Sequence, residues 1–239
     1  MGIDLVGLQA ILKSFKYVDL KRKNNCLTLG RQQFHLDYIT INQLLTQFTY
    51  FEQTNNTQLY CFPIFCEKFF EDFSFDVLSI DNSKYENASI EHNLNYAFHF
   101  DRKFDFILDG GTSEHIFNQV QLSENIINLL NVGGIYCSIT CNNNFSGHGM
   151  YQFSPEFFLS VFNEKYGMKV LELYLGETNS ECKDWINVNS YEGYRNMTKL
   201  NSEKEIYIIA IIQKISDKRE SLIINPPNQF SYEEIVWKK

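Results

Sequence analysis

The sequence lacks the features that mark several classes of protein. The 239 residues include 21 Lys and Arg against 29 Asp and Glu, and the net charge is −8. No basic cluster stands out, which argues against a nucleic-acid-binding protein. No apolar run has the length of a membrane span, and the first 16 residues show no basic-then-apolar signal pattern. We therefore expect one cytoplasmic α/β domain over residues 1–239 that binds neither nucleic acid nor membranes.

Cysteine motifs are also missing. The six cysteines, at positions 26, 61, 66, 137, 141 and 182, form no Cys-x-x-Cys pair, and no histidine follows them at zinc-finger spacing. Most lie in apolar surroundings, where a thiol is usually a small core residue. We expect reduced cysteines and no metal site.

The glycine fingerprint of dinucleotide-binding proteins, G-x-G-x-x-G, is absent. The first predicted strand, residues 26–29, is followed by Gly30, Arg31 and Gln32, so one glycine occupies the place of the usual glycine-rich turn. This argues against a pyrophosphate bound at a helix N-terminus. Gly30 still lets a ligand approach the backbone. Arg31 could pair with a ligand carboxylate or equally be a surface residue.

The stretch over residues 104–118 organises the chain. An apolar run ends at Asp109, and Gly110, Gly111 and a Thr-Ser pair follow before an amphipathic segment at residues 116–130. A second apolar run covers residues 135–139. This order predicts strand, loop, helix and strand, with polar residues at the carboxyl end of the first strand, where open α/β sheets bind ligands.

The remaining periodicity predicts a Rossmann-like, doubly wound sheet of seven strands that is mostly parallel and has a late antiparallel strand. An N-terminal helix falls within residues 1–22, and a lid or insertion over residues 176–204. The strands are predicted at residues 26–29, 75–80, 88–91, 104–108, 135–139, 169–175 and 205–215.

Several polar residues are candidates for chemistry. Asp81 ends the second strand, where a carboxylate can hold a ribose diol or form an Asx turn. Glu114 and His115 place an acid beside an imidazole at a predicted helix start. His148 lies between two glycines and could act as a general base or be an exposed loop residue. Tyr151 and Gln152 could shape an acceptor pocket.

These segments resemble class I S-adenosylmethionine-dependent methyltransferases, and more narrowly those of bacterial capsule and surface-polysaccharide gene clusters. The resemblance is carried by residues 27–32, 79–88, 109–118, 132–134 and 147–155, with weaker similarity at Trp185, residues 193–195 and residues 227–229. It implies that S-adenosylmethionine is the cofactor. The cofactor-binding residues that it implies are Gly30 and Arg31 at the amino-acid end, Asp81 and Asn82 at the ribose, Asn93 near the adenine, and Asp109, Gly110 and Gly111 behind the sulfonium.

The resemblance also implies the reaction. We expect O-methylation of a sugar or sugar-linked group of a surface polysaccharide or its precursor, with His148, His115 and Glu114 as catalytic residues. Tyr151, Gln152 and Arg195 are the expected acceptor-binding residues. One alternative is a non-catalytic subunit that binds the donor or scaffolds a partner enzyme, and another is an enzyme that uses a nicotinamide or a nucleotide sugar. The sequence gives no indication of oligomeric state.

Overall fold

The computed structural model describes residues 2–50, 65–84, 86–189 and 202–229. The helices within these residues are α1 (Leu5–Ser14), α2 (Tyr38–Gln47), α3 (Cys66–Asp72), α4 (Gln119–Leu129) and α5 (Pro155–Val161). The strands are β1 (Gly2–Ile3), β2 (Asn24–Leu29), β3 (Gln33–Phe34), β4 (Phe75–Asp81), β5 (Ile90–Glu91), β6 (Phe104–Gly110), β7 (Leu130–Asn143), β8 (Met168–Glu177), β9 (Ile186–Asn187) and β10 (Ile206–Lys214).

The main sheet has the strand order β5-β4-β2-β6-β7-β10-β8-β9. Strands β5, β4, β2, β6 and β7 are parallel, whereas β10 runs antiparallel to both of its neighbours, β7 and β8. The predicted doubly wound sheet, mostly parallel with a late antiparallel strand, is therefore confirmed. The described sheet has eight strands rather than seven, because β9 pairs antiparallel with β8. Both residues of β9 are exposed, so they show no apolar alternation.

Helices cover both faces of the sheet, and the side chains of β10 pack against the helices on each face. Ile208, Ala210 and Ile212 point into a core shared with α4 and α5, whereas Ile209 and Ile211 point into a core shared with α1, α2 and α3. All five side chains are fully buried. Burial of each isoleucine contributes roughly 1.5–3 kcal/mol. A strand buried on both faces reads as a continuous β-branched run, which is why β10 was recognisable in the sequence.

The N-terminal helix is shorter than the predicted 1–22 region. The side chain of Asp4 accepts a hydrogen bond from Gly7 N at 2.9 Å and so caps α1 at its start. The helix gives way to a 3-10 turn at Phe15–Tyr17. Before the helix, β1 pairs in parallel with β3, which lays the N-terminal segment beside the chain that follows β2.

Three other predicted boundaries move for local reasons. The helix predicted at residues 116–130 begins at Gln119, because the side chain of Asn118 caps it by accepting from Gln121 N at 3.2 Å. Strand β7 begins well before residue 135, and Gly133 has a φ of +88° near a register shift against β6. Strand β8 continues past its predicted end at residue 175 to Glu177, because Gly176 and Glu177 pair with Tyr207 and Ile206 of β10.

The predicted lid over residues 176–204 falls partly outside the described residues, which omit 190–201. Its described part contains a 3-10 turn, Cys182–Asp184, and β9. The lid therefore stays a prediction.

The described cysteines, at positions 26, 66, 137, 141 and 182, are free thiols. The first four of these are buried, as expected for cysteines that act as small core residues. Among the described helices, none is long and apolar enough to cross a bilayer.

Glu172 on β8 ties the first helix to the sheet. Its carboxylate accepts hydrogen bonds from the hydroxyls of Tyr17 at 2.7 Å and Tyr174 at 2.5 Å, and it pairs with Lys16 at 2.5 Å and Lys13 at 3.2 Å. Burial by itself would raise the pKa of Glu172. The hydrogen bonds from Lys16, Tyr17 and Tyr174 and the charge of Lys13 outweigh burial and lower this pKa to about 2.

We expect Glu172→Gln to lower the free energy of unfolding by roughly 1–2 kcal/mol at pH 7, a modest value because the lysines remain partly in water. Because the folded-state pKa of Glu172 is depressed, the carboxylate stabilises the fold above its ordinary pKa of 4.5. That contribution is lost as the pH falls toward 2, so the wild-type protein and the variant should converge in acid. Urea denaturation at a series of pH values measures this, with exposed Glu164→Gln as the control. A constant difference between pH 7 and pH 2.5 would contradict the prediction.

Candidate functional site

A cleft of about 320 Å³ opens where β2, β4 and β6 end. Its walls include Gly30 after β2, Asp81 and Asn82 at the end of β4, Asn93 in the loop after β5, and His115 in the loop after β6. Parallel strands end at the same edge of a sheet, so residues far apart in sequence meet there. With Arg31, which also lines it, the structure thus brings six of the predicted site residues to one cleft.

Gly30 is required at its position for two reasons. Its φ is +71°, a left-handed conformation that favours glycine, and an added Cβ would lie 2.9 Å from Thr112 Oγ1. The same Cβ would lie 3.8 Å from Asp81 Oδ2, so the ends of β2 and β4 are side by side. The hydroxyl of Thr112 donates to Leu29 O at 2.6 Å and holds the loop after β6 against β2.

Arg31 lines the cleft, but its charge is engaged by the protein. Its Nε lies 2.8 Å from Glu67 Oε1, its guanidinium donates to Glu86 O at 2.6 Å, and it stacks 3.8 Å above the ring of Phe65. Such a paired and stacked guanidinium forms a wall of the cleft. The expectation that Arg31 pairs with a ligand carboxylate is therefore not supported by these contacts.

Asp81 presents its side chain at the mouth of the cleft. Its backbone carbonyl accepts from His92 N at 2.8 Å, which brings the loop after β5 to face it. Its carboxylate accepts one hydrogen bond among the described residues, a long one of 3.3 Å from Ser83 N. Asp81 therefore retains capacity to accept hydrogen bonds from a ligand in the cleft.

Asp109 has a different role from the one predicted. It is fully buried and does not line the cleft. Its Oδ1 accepts from Thr112 N at 2.9 Å and Ser113 N at 3.2 Å, and its Oδ2 accepts from the hydroxyls of Tyr136 at 2.9 Å and Ser138 at 3.3 Å. These contacts occupy the carboxylate, so Asp109 shapes the loop from within the fold.

Glu114, His115 and His148 come together at the far side of this loop. Glu114 Oε1 lies 3.7 Å from His148 Nε2, and the two imidazole rings are 5.0 Å apart between centroids. Glu114 is buried, and its carboxylate also accepts from Thr140 Oγ1 at 2.7 Å and Cys141 Sγ at 3.4 Å. The three predicted catalytic residues thus form one group, which we call the Glu-His-His cluster.

The electrostatics of the Glu-His-His cluster follow from burial. Burial, together with the charge of Asp109, raises the pKa of Glu114 to about 7 despite the hydrogen bonds from Thr140 and Cys141. Partial burial and the nearby His148 lower the pKa of His115. Near neutral pH the cluster therefore holds a neutral imidazole beside a carboxyl group that exchanges its proton readily.

Other predicted residues lie outside the cleft. Gly110 and Gly111 line a second cavity of about 320 Å³, together with Glu114 and His148. Tyr151 and Gln152 line an open groove of about 680 Å³ that begins beside Phe117. Arg195 lies outside the described residues. His115 borders the cleft, whereas its two cluster partners face the second cavity, so the cluster separates the two spaces.

Gln32 is a residue of the cleft that the sequence did not indicate as a site residue. Its side chain is 2% exposed and lines the cleft, and its Nε2 donates to Leu29 O at 2.7 Å. Among the described residues, no donor reaches its Oε1, although that atom is buried. A Cβ on Gly110 would lie 3.0 Å from this oxygen, so Gly110 provides the space for Gln32. A buried oxygen without a donor is costly and marks a place for a ligand donor.

The comparisons with known proteins assign the chain to no family. No protein-family model and no curated protein matches the sequence. Among solved structures, the chain is similar to 1,6-didemethyltoxoflavin-N1-methyltransferase of Burkholderia thailandensis, at 11% identity over 89% of this chain and 78% of that one, with a TM-score of 0.48. It is also similar to a TehB-like SAM-dependent methyltransferase of Corynebacterium glutamicum, at 14% identity over 87% of each chain, with a TM-score of 0.46. An O-methyltransferase from a polyketide synthase of Brevibacillus brevis matches at 12% identity over 86% and 71%, with a TM-score of 0.47.

All three TM-scores lie below 0.5. The fold assignment therefore rests on this chain's own strand order, with five parallel strands followed by the reversed β10 between β7 and β8. The chain has a doubly wound α/β fold with a mostly parallel sheet and a late antiparallel strand. Fold alone does not fix function, which has to be argued from the site.

We expect Asp109→Asn to lower the free energy of unfolding by about 2–4 kcal/mol, because the amide nitrogen would face donors where a carboxylate oxygen now accepts from them. Urea denaturation at pH 7 measures the change. Exposed Asp101→Asn is the matched control and should change stability by less than about 0.5 kcal/mol. Equal stability of the two variants would show that the Asp109 contacts do not support the loop.

Proposed function

We propose that this protein is a cytoplasmic S-adenosylmethionine-dependent methyltransferase that O-methylates a sugar or sugar-linked group of a surface polysaccharide or its precursor. The observation that carries the proposal is the cleft at the carboxyl edge of the parallel strands. There Asp81, Asn93 and Gln32 face one space, and the Glu-His-His cluster stands at its border. At about 320 Å³ the cleft has the size of a small-molecule site.

The adenosine half of the donor fits the part of the cleft between β4 and β5. Asp81 would accept hydrogen bonds from the ribose hydroxyls, the role that a carboxylate has at this position of nucleotide-binding sheets. Ile80, Leu94 and Ile116 supply apolar surface for a planar base, and Asn93 supplies polar groups beside them. Placed polar groups beside an apolar surface are typical of cofactor sites.

The amino-acid half of the donor fits the region of Gly30 and Gln32. The buried Oε1 of Gln32 lacks a donor within the described part of the chain, and the α-ammonium group of the cofactor could supply one. Charge-assisted hydrogen bonds of this kind are stronger than neutral ones. The first turn thus uses one glycine and an amide in place of several glycines.

When bound, S-adenosylmethionine supplies an electrophilic methyl group, and the electron pair of its C–S bond stays on sulfur as the methyl leaves. The protein then has to position the acceptor and receive the proton of its hydroxyl group. His115 borders the donor cleft, and Glu114 and His148 border the second cavity, so an acceptor between them would lose its proton at the cluster. Positioning the donor and the acceptor in this way supplies most of the rate enhancement of a methyl transfer.

The acceptor is proposed to be uncharged. The open groove that includes Tyr151 and Gln152 has no charged side chain among its described lining residues. Its amides, from Asn118, Gln119 and Gln152, can hydrogen-bond hydroxyl groups, and its aromatic rings offer apolar faces. These features suit a neutral sugar better than a phosphorylated one.

Isothermal titration calorimetry with S-adenosylhomocysteine tests the donor site. We expect saturable binding to the wild-type protein and an affinity at least about tenfold lower for Asp81→Asn, because a hydrogen bond to a charged group contributes about 1.5–3 kcal/mol. Asp76→Asn is the matched control, since Asp76 lies at the opposite end of the same strand. Absence of binding to the wild-type protein at millimolar ligand would overturn the proposed function.

The role of Gln32 can be separated from that of Asp81. We expect Gln32→Leu to lower the affinity for S-adenosylhomocysteine about tenfold or more, because the ammonium group loses its acceptor. The affinity for 5′-methylthioadenosine, which lacks the amino acid, should stay within about twofold of the wild-type value. An equal loss for both ligands would mean that the substitution distorts the cleft.

A further inference from the structure

Three side chains of metal-ligating type converge in the Glu-His-His cluster at the border of the donor cleft. Glu114, His115 and His148 each offer one ligand atom, and these atoms all lie within 4.8 Å of one another. Ligand atoms about 2.1 Å from one ion are at most about 4.2 Å apart. One ion would therefore need a small adjustment of the cluster, and the 41% exposed side chain of His148 has the most room to make it.

The backbone holds the cluster together from two directions. Glu114 and His115 lie in the 3-10 turn Ser113–His115, whose start is fixed by Asp109. The loop that carries His148 is fastened to the same turn, because Met150 N at 2.7 Å and Tyr151 N at 3.2 Å both donate to Glu114 O.

Gly149 allows this contact. Its φ is +69°, and an added Cβ would lie 2.9 Å from Glu114 Cγ. Gly149 therefore lets this loop bring His148 against Glu114.

The buried carboxylate of Glu114 is oriented by further contacts. Thr140 donates to Oε2 and Cys141 donates to Oε1, the oxygen that faces His148. Partners that orient a carboxylate in this way are typical of the surroundings of metal ligands. The thiol of Cys141 is a hydrogen-bond donor to Glu114 Oε1 at 3.4 Å, and the group of possible ligand atoms consists of Glu114, His115 and His148 without it.

We propose that Glu114, His115 and His148 bind one divalent cation of the borderline class, of which Zn²⁺ is the representative. Two imidazoles and one carboxylate are a ligand set for Zn²⁺ and other late first-row ions, whereas Mg²⁺ and Ca²⁺ prefer oxygen ligands. Three protein ligands leave at least one coordination position open, as in catalytic rather than structural sites.

The role of the ion, unlike its binding, rests on the proposed function. The cluster stands between the donor cleft and the second cavity, so a cation there would lower the pKa of an acceptor hydroxyl. The proton released from that hydroxyl would pass to water in the second cavity. The three side chains would then hold the ion, and the methyl group would go to the deprotonated oxygen.

Calorimetry of the metal-free full chain with ZnCl₂ alone tests the binding, without donor or acceptor. We expect one Zn²⁺ per chain. Each of Glu114→Gln, His115→Ala and His148→Ala should lower the affinity by about 100-fold or more, and Thr140→Val by about 10–100-fold through the orientation of Glu114. Exposed His99→Ala is the matched control and should bind as the wild type does.

Titration with Co²⁺ supplies an independent readout. We expect visible absorption that disappears in the three ligand variants, without the near-ultraviolet absorption of a cobalt–thiolate bond. Thermal melts confirm that each variant is folded, and His148→Ala on its exposed loop keeps the test valid if Glu114→Gln unfolds. Thiolate absorption, no saturable Zn²⁺ binding, or equal affinity in all variants would overturn the metal site. Because the donor titration uses no metal, failure of one proposal is distinguishable from failure of the other.

Discussion

The buried carboxylate of Asp109 is the constraint on which the candidate site depends. It stands at the end of the central strand β6 and accepts four hydrogen bonds, two from the loop after β6 and two from hydroxyls on the neighbouring β7. These contacts fix the direction in which the chain leaves the sheet. Thr112 can then reach Leu29 O on β2, and the next residues enter the turn that carries Glu114 and His115. The four hydrogen bonds that it accepts offset the cost of burying such a polar group.

Glu114 connects the loop after β6 to the elements on the other side of the site. Its backbone carbonyl holds the loop of residues 145–151, and its carboxylate meets Thr140 and Cys141 near the end of β7. One residue thus connects the loop after β6, the end of β7 and the loop that carries His148. The cleft and the second cavity share this wall, with His115 on the side of the cleft and Glu114 and His148 on the side of the second cavity.

Much of the fold could be predicted from the sequence because its strands are buried on both faces. The β-branched run of β10 and the apolar run of β6 can be recognised as strands from their composition. Gly30 and Gly110 mark the turns that follow β2 and β6. Of the two-residue strands in the described part of the chain, β5 falls within a predicted strand, residues 88–91, whereas the others were not predicted. β1, β3 and β9 have two residues each, too few for a period, and they form only because distant segments lie beside them.

The sequence by itself determined which chemical groups stand at the ends of the strands, since strand, turn and helix signals are local and place Asp81, Glu114 and His115 at the same edge of a sheet. Only the tertiary structure decided what each group does there. It buried Asp109 among four donors, paired Arg31 with Glu67, left Gln32 Oε1 without a donor in the described residues, and brought His148 to Glu114. These roles depend on burial and on partners distant in the chain, and neither quantity is a property of a local stretch of sequence.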